Sequence, residues 1–267
     1  MIYIVLPAYN EENSLGALLT RIQASLKTFS GGYEVIVVND GSTDQTLAIA
    51  QQQKTIMPID VVDHGHNRGL GEALKSGLKA ASEKAQLQDV IITMDADNTH
   101  SPDLIPRMVA KIGEGYDLVV ASRYVPGAQE IGLSFHRSLL SKGAATLLKI
   151  CFPFPGVRDY TCGYRAYRAT ILKQAMQIYG DALVQERGFT SIVEILLKLR
   201  RIGAKATEVP LILRYDFKGG ASKMPVLKTI LRYWIIIRQN IFLPGARPFR
   251  SVSGAEESRA PSRPYQH

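Results

Sequence analysis

The stretch QDVIITMDADNTH, residues Gln88–His100, joins an apolar run to a pair of carboxylates. Residues 90–94 are apolar apart from one threonine, which predicts a buried strand of a parallel sheet. Asp95 and Asp97 follow at the carboxyl end of this strand, where open α/β sheets bind ligands. Because side chains alternate along an extended chain, the two carboxylates can converge on one point. Converging carboxylates repel each other unless a cation lies between them.

Two interpretations of this pair are open from the residues alone. Carboxylate oxygens suit Mg²⁺ or Mn²⁺, and such ions usually keep several waters and bridge to substrate phosphates. Alternatively, the loop is solvated, and Asp97, Asn98 or Thr99 caps a helix that opens at Ser101-Pro102. The rest of the chain has to decide between a metal site and a helix cap.

Strands alternate with helices over the first 120 residues, which predicts βαβ units and a mostly parallel sheet flanked by helices. The predicted strands are 2–6, 33–39, 59–63, 90–94 and 116–121, and the predicted helices are 11–29, 43–53, 70–84 and 102–113. Ser42 or Thr43 is the expected N-cap of the second helix.

After residue 121 the pattern changes. The predicted elements are a loop at 122–132, a helix at 134–152, a short strand at 164–167, helices at 171–177 and 189–201, a strand at 205–213 and a basic apolar helix at 226–242.

Polar residues follow most of the early strands. Since the carboxyl ends of parallel strands meet at one edge of the sheet, these loops predict a nucleotide site around the aspartate pair. Plain turn chemistry would explain any one of them alone. The residues are Tyr9, Asn10, Glu11, Asp40, Gly41, Ser42, Asp44, Asn67, Gly69, Gly71, Asp95 and Asp97.

Charge is unevenly distributed along the 267 residues, whose formal net charge is +8. Residues 1–100 carry 7 Lys/Arg and 12 Asp/Glu, a net of −5, whereas residues 198–250 carry 12 and 2, a net of +10. The basic part therefore predicts an anionic partner. A nucleic acid is disfavoured because long aliphatic runs interrupt the basic residues and no recognition motif is present. The two cysteines, Cys151 and Cys162, predict neither a disulfide framework nor a metal site.

Four segments together resemble the family 2 glycosyltransferases of GT-A fold. They are PAYNE at 7–11, NDGSTD at 39–44, NRGLGEAL at 67–74 and DAD at 95–97. The resemblance implies that Asp95 and Asp97 hold a divalent cation, Mg²⁺ or Mn²⁺, on the diphosphate of a nucleotide-sugar donor. The donor nucleotide residues that it implies are Pro7, Tyr9, Glu11, Asp40, Gly41, Asn67, Gly69, Asp95, Ala96 and Asp97.

The second half resembles the polyprenyl (dolichyl) phosphate mannose synthases within that family. The matching segments are VASRY at 120–124, His136-Arg137 with Ser141, DYTCGYRAYR at 159–168 and RYDFKGGASK at 214–223. The resemblance implies that Arg123, Arg137 and Ser141 hold the acceptor phosphate, and that Arg214 and Lys223 lie on a loop that closes over the donor. With Asp97, these four basic residues form the expected catalytic set.

Each arginine seen alone is equally compatible with a surface or ion-pair residue. The chain departs from its relatives at Asn98-Thr99, where Leu-Gln is usual, and at Cys162, where serine is usual. Glu194 on a predicted helix is interpreted as structural or sugar-positioning rather than as a catalytic base.

The expected activity is inverting transfer of a hexose, first mannose from GDP-mannose, to polyprenyl phosphate. Alternatives are another donor such as UDP-glucose or UDP-GlcNAc, a hydroxyl acceptor, or a non-catalytic nucleotide-sugar-binding protein. The expected organisation is a GT-A catalytic domain at 1–223, an amphipathic interfacial helix at 224–243 and a disordered tail at 244–267.

We expect a peripheral protein on the cytoplasmic side of a membrane, because residues 226–242 mix aliphatic, aromatic and basic side chains. The same helix could instead pack on protein, on a membrane-protein partner or in a homo-oligomer. No signal peptide and no confident transmembrane helix are expected.

Overall fold

A mostly parallel β-sheet flanked by helices forms the centre of the protein. A computed structural model describes residues 1–132, 135–217 and 232–238, without the side chains of residues 135–140. The strands are β1 Ile2–Ala8, β2 Tyr33–Asn39, β3 Ile59–Asp63, β4 Val90–Thr93, β5 Leu118–Ser122, β6 Gln129–Ile131, β7 Arg165–Arg168, β8 Ala206–Pro210 and β9 Ile212–Arg214. The helices are α1 Leu15–Leu26, α2 Thr46–Gln53, α3 Leu70–Lys84, α4 Ile105–Gly113, α5 Phe135–Cys151, α6 Ala169–Tyr179 and α7 Thr190–Arg201.

The main sheet has seven strands in the order β3-β2-β1-β4-β7-β5-β8. β1 pairs in parallel with β2 and β4, and β5 pairs in parallel with β8, while β7 runs antiparallel between β4 and β5. Apolar runs such as that of β1 are buried at nearly every position, with Pro7 alone in β1 partly exposed, as expected for strands covered on both faces. The predicted mostly parallel α/β sheet is therefore confirmed.

A second sheet of two strands corrects two predictions. The predicted loop at 122–132 contains β6, and the predicted single strand at 205–213 is divided into β8 and β9. The break follows Pro210, which has no backbone N–H to donate to a ladder. The next N–H, of Leu211, donates to the Ser122 carbonyl at 2.9 Å, after which β9 pairs in parallel with β6.

The start of α2 also differs from its prediction. The helix begins at Thr46, and the Asp44 carboxylate accepts the Thr46 N–H at 2.9 Å, so the predicted N-cap at Ser42 or Thr43 is wrong. Ser42 Oγ instead accepts the Asn10 N–H at 3.0 Å, and the Thr43 N–H donates to Asn10 Oδ1 at 2.8 Å. These hydrogen bonds tie the loop after β1 to the loop after β2.

Residues 232–238 form a short helix, named α8 here, with two different faces. Tyr233, Ile236 and Ile237 are buried against the core, whereas Trp234 and Ile235 are 57% and 40% exposed. One face thus packs on protein, and the other carries the aromatic and aliphatic groups on which the membrane prediction depends. The rest of the predicted 224–243 helix, Lys223 and the 244–267 tail lie outside the described residues.

Within the described part of the chain, none of the helices combines the length and the apolar character needed to span a bilayer.

Candidate active site

The loops that follow β1 to β4 meet at the carboxyl edge of the sheet, as their parallel pairing requires. The backbone N–H of Asp40 donates to the Ala8 carbonyl at 2.8 Å, and that of His64 donates to the Asn39 carbonyl at 3.0 Å. The Glu11 N–H donates to Thr46 Oγ1 at 2.8 Å. The structure therefore brings the predicted nucleotide loops together.

The carboxylate of Asp40 holds the loop after β3 in place. This buried carboxylate accepts the N–H of Arg68 at 3.0 Å and the N–H of Gly69 at 2.9 Å. His64 Nδ1 lies 2.8 Å from the same carboxylate, and His64 Nε2 lies 2.9 Å from Ser76 Oγ on α3. Asp40 thus shapes the segment that carries Asn67. Sequence reasoning missed His64 and Ser76, because their contact depends on the packing of α3.

Two glycines allow backbone segments to approach closely here. Gly41 has φ +68°, and a Cβ atom on it would lie 2.2 Å from the backbone carbon of His66. A Cβ atom on Gly71 would lie 1.7 Å from the carbonyl oxygen of Glu186, and the Gly71 N–H donates to the Arg187 carbonyl at 2.8 Å. The backbone of residues 186–187 therefore packs against the start of α3, a contact that was not predicted from the sequence.

The aspartate pair is held in a compact turn after β4. Asp97 Oδ1 accepts the Thr99 N–H at 3.1 Å and the Thr99 hydroxyl at 2.6 Å, which closes an Asx turn. Asn98 stands at φ +63°, a conformation that asparagine tolerates better than most residues, and its side-chain oxygen accepts from Arg21 at 2.7 Å. The 3₁₀ turn Pro102–Leu104, which precedes α4, begins without a side-chain cap, so the helix-capping alternative is wrong.

The donor set around this turn fits a hard divalent cation. Asp95 is 39% exposed in its side chain and offers carboxylate oxygens at the open edge, with Asp97 two residues further. Among the described residues no group of three His, Cys, Asp or Glu side chains is arranged to hold a metal. The Thr99 hydroxyl donates its proton to Asp97, and the remaining ligands would be oxygen atoms of the donor phosphates and of waters, which Mg²⁺ and Mn²⁺ accept.

His100 supports Asp95 and was missed from the sequence. Its Nδ1 accepts the Asp95 N–H at 3.3 Å, and its ring stacks on Tyr164 with centroids 5.1 Å apart. His100 Nε2 lies 4.0 Å from Asp95 Oδ2. No local pattern distinguishes this histidine from an exposed loop residue, because its stacking partner lies 64 positions away in the chain.

Arg123 is anchored by a buried carboxylate directly after β5. Its Nε and Nη2 donate to the two oxygens of Asp159 at 2.7 Å each, and Nη2 also donates to Thr161 Oγ1 at 2.7 Å. Burial by itself would raise the pKa of Asp159, but the Arg123 charge and the hydrogen bonds that the carboxylate accepts hold it below its ordinary value. The guanidinium is therefore charged and fixed in orientation, with 12% of the side chain exposed.

Ser141 on α5 lies in the same cluster. The hydroxyl of Tyr124, the residue after Arg123, donates to Ser141 Oγ at 3.0 Å. Two members of the predicted acceptor set, Arg123 and Ser141, are thus connected through Tyr124. Arg137 lies in the first turn of α5, but its side chain is outside the described residues.

The model of the family described as glycosyl transferase family 2 matches residues 3–175, which is more than half of the chain. The chain is a member of glycosyltransferase family 2.

Two curated relatives are similar to this chain. It is 33% identical over 231 residues to the dolichol-phosphate mannosyltransferase of Pyrococcus furiosus, a match that covers 86% of this chain but 60% of that protein. It is 29% identical over 223 residues to the polyprenol monophosphomannose synthase of Mycolicibacterium smegmatis, covering 83% and 80% of the two chains. The glycosyltransferase therefore spans less than two thirds of the Pyrococcus protein.

A solved structure confirms the predicted GT-A fold. Glucosyl-3-phosphoglycerate synthase from Mycobacterium tuberculosis, in complex with Mn²⁺, UDP and glucosyl-3-phosphoglycerate, matches with a TM-score of 0.62. The identity is 23%, and the match covers 94% of this chain and 82% of that one. At this identity the likeness establishes the fold and leaves the substrates open.

The backbone of Arg214, a predicted catalytic residue, lies beside the turn that contains Asp95 and Asp97. The Arg214 N–H donates to the Thr99 carbonyl at 3.0 Å. Its guanidinium donates to Asp216 Oδ2 at 2.7 Å and lies over the Phe217 ring, 4.0 Å from the centroid. Lys223, the other predicted residue of this loop, lies outside the described residues.

Glu194 is occupied by internal contacts of the glycosyltransferase. One oxygen accepts from Lys198 Nζ at 2.6 Å, and the other accepts the N–H groups of Gln185 at 2.8 Å and Glu186 at 2.9 Å. These contacts support the structural interpretation of Glu194 and orient the 185–187 segment that faces the start of α3.

Proposed function

We propose that this glycosyltransferase transfers a hexose from a nucleotide-sugar to the phosphate of a polyprenyl phosphate lipid at a membrane surface. The single observation that carries the proposal is the bridge formed by residues 159–163. Asp159 at one end holds Arg123, while Gly163 at the other packs on Asp95, such that a Cβ on Gly163 would lie 3.4 Å from Asp95 Oδ1. Residues 159–163 therefore contact both the predicted acceptor cation, Arg123, and the predicted metal-binding carboxylate of Asp95.

The names of the two curated relatives support the choice of acceptor, since both describe mannosyl transfer to a polyprenol-type lipid. They also support mannose as the first sugar to test, with GDP-mannose as the first donor. The proposed location is the cytoplasmic surface of a membrane, with the exposed Trp234 and Ile235 of α8 at the lipid interface.

The acceptor chemistry requires positioning but no general base. A phosphate monoester has a second pKa of about 6, so it is largely dianionic at neutral pH and already nucleophilic. Arg123, held by Asp159, offers a fixed cation to this phosphate, and Ser141 offers a hydroxyl. Arg137 on the first turn of α5 completes the proposed acceptor set.

On the donor side, Asp95 and Asp97 would hold the divalent cation. When bound, the cation supplies charge neutralisation for the diphosphate of the donor. Arg214 and Lys223 are the cations proposed to stabilise the departing diphosphate.

The proposed step is a single displacement. An acceptor phosphate oxygen forms a bond to the anomeric carbon while the bond from that carbon to the donor diphosphate breaks. The nucleoside diphosphate leaves with the electron pair. Attack from the opposite face inverts the configuration, so an α-linked donor gives a β-linked lipid phosphate sugar.

A hydroxyl acceptor is the main rival within the family, and it would need a carboxylate base. Glu194 is unsuited to that role because Lys198 and two backbone N–H groups already occupy its oxygens. A non-catalytic nucleotide-sugar-binding protein is the rival outside the enzymes. The bridge from Asp95 to Arg123 supports catalysis, since binding a donor alone needs no acceptor cation.

The test incubates purified protein with radiolabelled GDP- and UDP-sugars, Mg²⁺ or Mn²⁺, and polyprenyl phosphate. Organic-extractable label is expected with one donor, GDP-mannose first. Asp97→Ala should abolish that label while the circular dichroism spectrum stays unchanged. Label that appears only in a sugar-hydroxyl product would refute the proposed acceptor, and normal turnover by Asp97→Ala would refute the proposed metal site.

A further inference from the structure

Tyr124 lies between the two described members of the acceptor set. Its N–H donates to Ser122 Oγ at 3.1 Å, which fixes the turn after β5, and its hydroxyl donates to Ser141 Oγ at 3.0 Å. The Arg123 guanidinium carbon stands 5.1 Å from the centroid of its ring. One side chain therefore contacts both the cation and the hydroxyl that were predicted to bind phosphate.

We propose that Tyr124 is itself an acceptor-binding residue, whose hydroxyl donates a hydrogen bond to the phosphate of the lipid acceptor. The inference rests on the proposed function, because it takes the group held by Arg123 and Ser141 to be a phosphate. It adds a direct ligand that the resemblance did not single out, although Tyr124 ends the segment VASRY, since a tyrosine after a strand is usually a packing residue.

The geometry of the two hydroxyls supports this role. Each hydroxyl has one proton to donate and two lone pairs. In the structure their contact uses the Tyr124 proton and leaves the Ser141 proton. Because both hydroxyls rotate, Ser141 can instead donate to Tyr124, which keeps the contact and leaves the Tyr124 proton for a third group. A phosphate oxygen beside Arg123 is an acceptor for that proton, and a charged acceptor forms a stronger hydrogen bond than a neutral one.

Tyr124 also remains a donor over the whole physiological range. Burial raises the pKa of its phenol to about 12, more than the nearby Arg123 charge lowers it. Asp159 and Glu130 are the acidic groups that face it, and both disfavour the phenolate. A neutral phenol can donate to a phosphate dianion, whereas a phenolate would repel it.

The aromatic ring has a second function that the hydroxyl does not share. Asp159 holds the guanidinium of Arg123 through two hydrogen bonds, and the Tyr124 ring lies against that guanidinium. Tyr124→Phe therefore removes the phosphate contact while it keeps the ring beside Arg123. This substitution separates ligand binding from support of the arginine.

The test compares Tyr124→Phe with the wild-type chain, using farnesyl phosphate as a short soluble acceptor and farnesol as its uncharged counterpart. Loss of one hydrogen bond to a charged group should weaken farnesyl phosphate binding about tenfold or more. Farnesol binding and the donor KM should stay unchanged, and the thermal midpoint should fall no further than in a control that also loses one tyrosine hydroxyl contact. Tyr179→Phe is the matched control, since that hydroxyl makes a 3.4 Å contact with the Lys198 carbonyl, well away from Arg123.

Three results would overturn the inference in different ways. Equal farnesyl phosphate affinity in Tyr124→Phe and wild type, with lipid transfer intact, would remove Tyr124 from the site but leave the proposed function standing. Equal loss of affinity for farnesyl phosphate and farnesol, with a lowered thermal midpoint, would show a packing role alone. Absence of farnesyl phosphate binding and of lipid transfer in the wild-type chain would overturn the inference and the proposed function together.

Discussion

Removal of the charge on Asp159 should destabilise the fold more than any change on the surface of the site. This carboxylate is fully buried and accepts from the Arg123 side chain at 2.7 Å through both of its oxygens. It also accepts the N–H groups of Arg123 at 3.1 Å, Thr161 at 3.2 Å and Cys162 at 3.1 Å. Asp159→Asn leaves the guanidinium buried without its counter-charge and puts an amide group where only acceptors fit.

Breaking one partner of a buried pair costs about 3–5 kcal/mol. For a chain of this size each kcal/mol lowers the thermal midpoint by about 2–4 °C, so the fall should be roughly 6–20 °C. Asp216→Asn is the matched control, because Asp216 makes a similar pair with Arg214 at the exposed surface. Its thermal midpoint should stay unchanged, since exposed pairs contribute little.

Urea unfolding followed by circular dichroism measures the free energy of unfolding for Asp159→Asn, Arg123→Met and the double variant. The double variant should lose less than the sum of the two single losses, because removal of both charges leaves no unpaired ion. Additive losses, or a loss below about 1 kcal/mol for Asp159→Asn, would refute the anchoring role.

The pH dependence provides a second check on Asp159. Its folded pKa lies below the ordinary value of 3.8, so the carboxylate contributes stability above pH 3.8. That contribution is lost as the pH falls through the folded pKa, since the unfolded chain binds the proton more readily. The difference in unfolding free energy between wild type and Asp159→Asn should therefore shrink below pH 3.8 and stay constant near neutrality. An unchanged difference at low pH would contradict the lowered pKa.

Three further outcomes are expected. Gly71→Ala should lower the thermal midpoint and raise the donor KM, because the added Cβ would lie 1.7 Å from the Glu186 carbonyl oxygen. Gly143→Ala is the control and should change neither, since no atom lies near an added Cβ there. Equal thermal midpoints of the two variants in calorimetry would contradict this prediction. Glu194→Gln should lower the free energy of unfolding in urea by about 3 kcal/mol, because the buried Lys198 loses its counter-charge. The value of kcat should stay within a few-fold of wild type. Loss of turnover in a folded variant would show that Glu194 acts as a base. His64→Gln should raise the donor KM and leave the acceptor KM unchanged, since it removes a contact that orients the Asp40 carboxylate under the predicted donor loop. Steady-state kinetics that show both KM values unchanged would exclude His64 from the donor site.

The early strands were predictable because their apolar runs are continuous. β2, β3 and α3 have their predicted bounds, since glycine or proline precedes each of them and marks where it begins. The start of α2 was wrong because Ser42 and Thr43, good caps by residue type, bond to Asn10 across the sheet edge instead. The break between β8 and β9 was missed because β6 lies about 80 residues away from its partner strand.

In the candidate site, too, some residues were predictable from the sequence and others were not. Asp95 and Asp97 stand out locally because two carboxylates end an apolar strand, and the loop residues after β1 and β2 belong to the same edge by the rules of parallel sheets. The partners of these residues do not stand out. Asp159 is one aspartate in a polar loop until its burial against Arg123 is seen, and His64 and His100 are ordinary loop histidines until Ser76 and Tyr164 are placed beside them.

By itself, the sequence determined the family, the mostly parallel α/β sheet and the position of the carboxylate pair, because hydrophobic periodicity and local motifs act over a few residues. Tertiary structure alone decided which groups hold the site together. In the structure the segment QDVIITMDADNTH ends in an Asx turn closed by Asp97 and Thr99, and His100 contacts Asp95. Residues 159–163 connect this turn to Arg123. Such contacts join residues far apart in the chain, so only the packing of the whole sheet could reveal them.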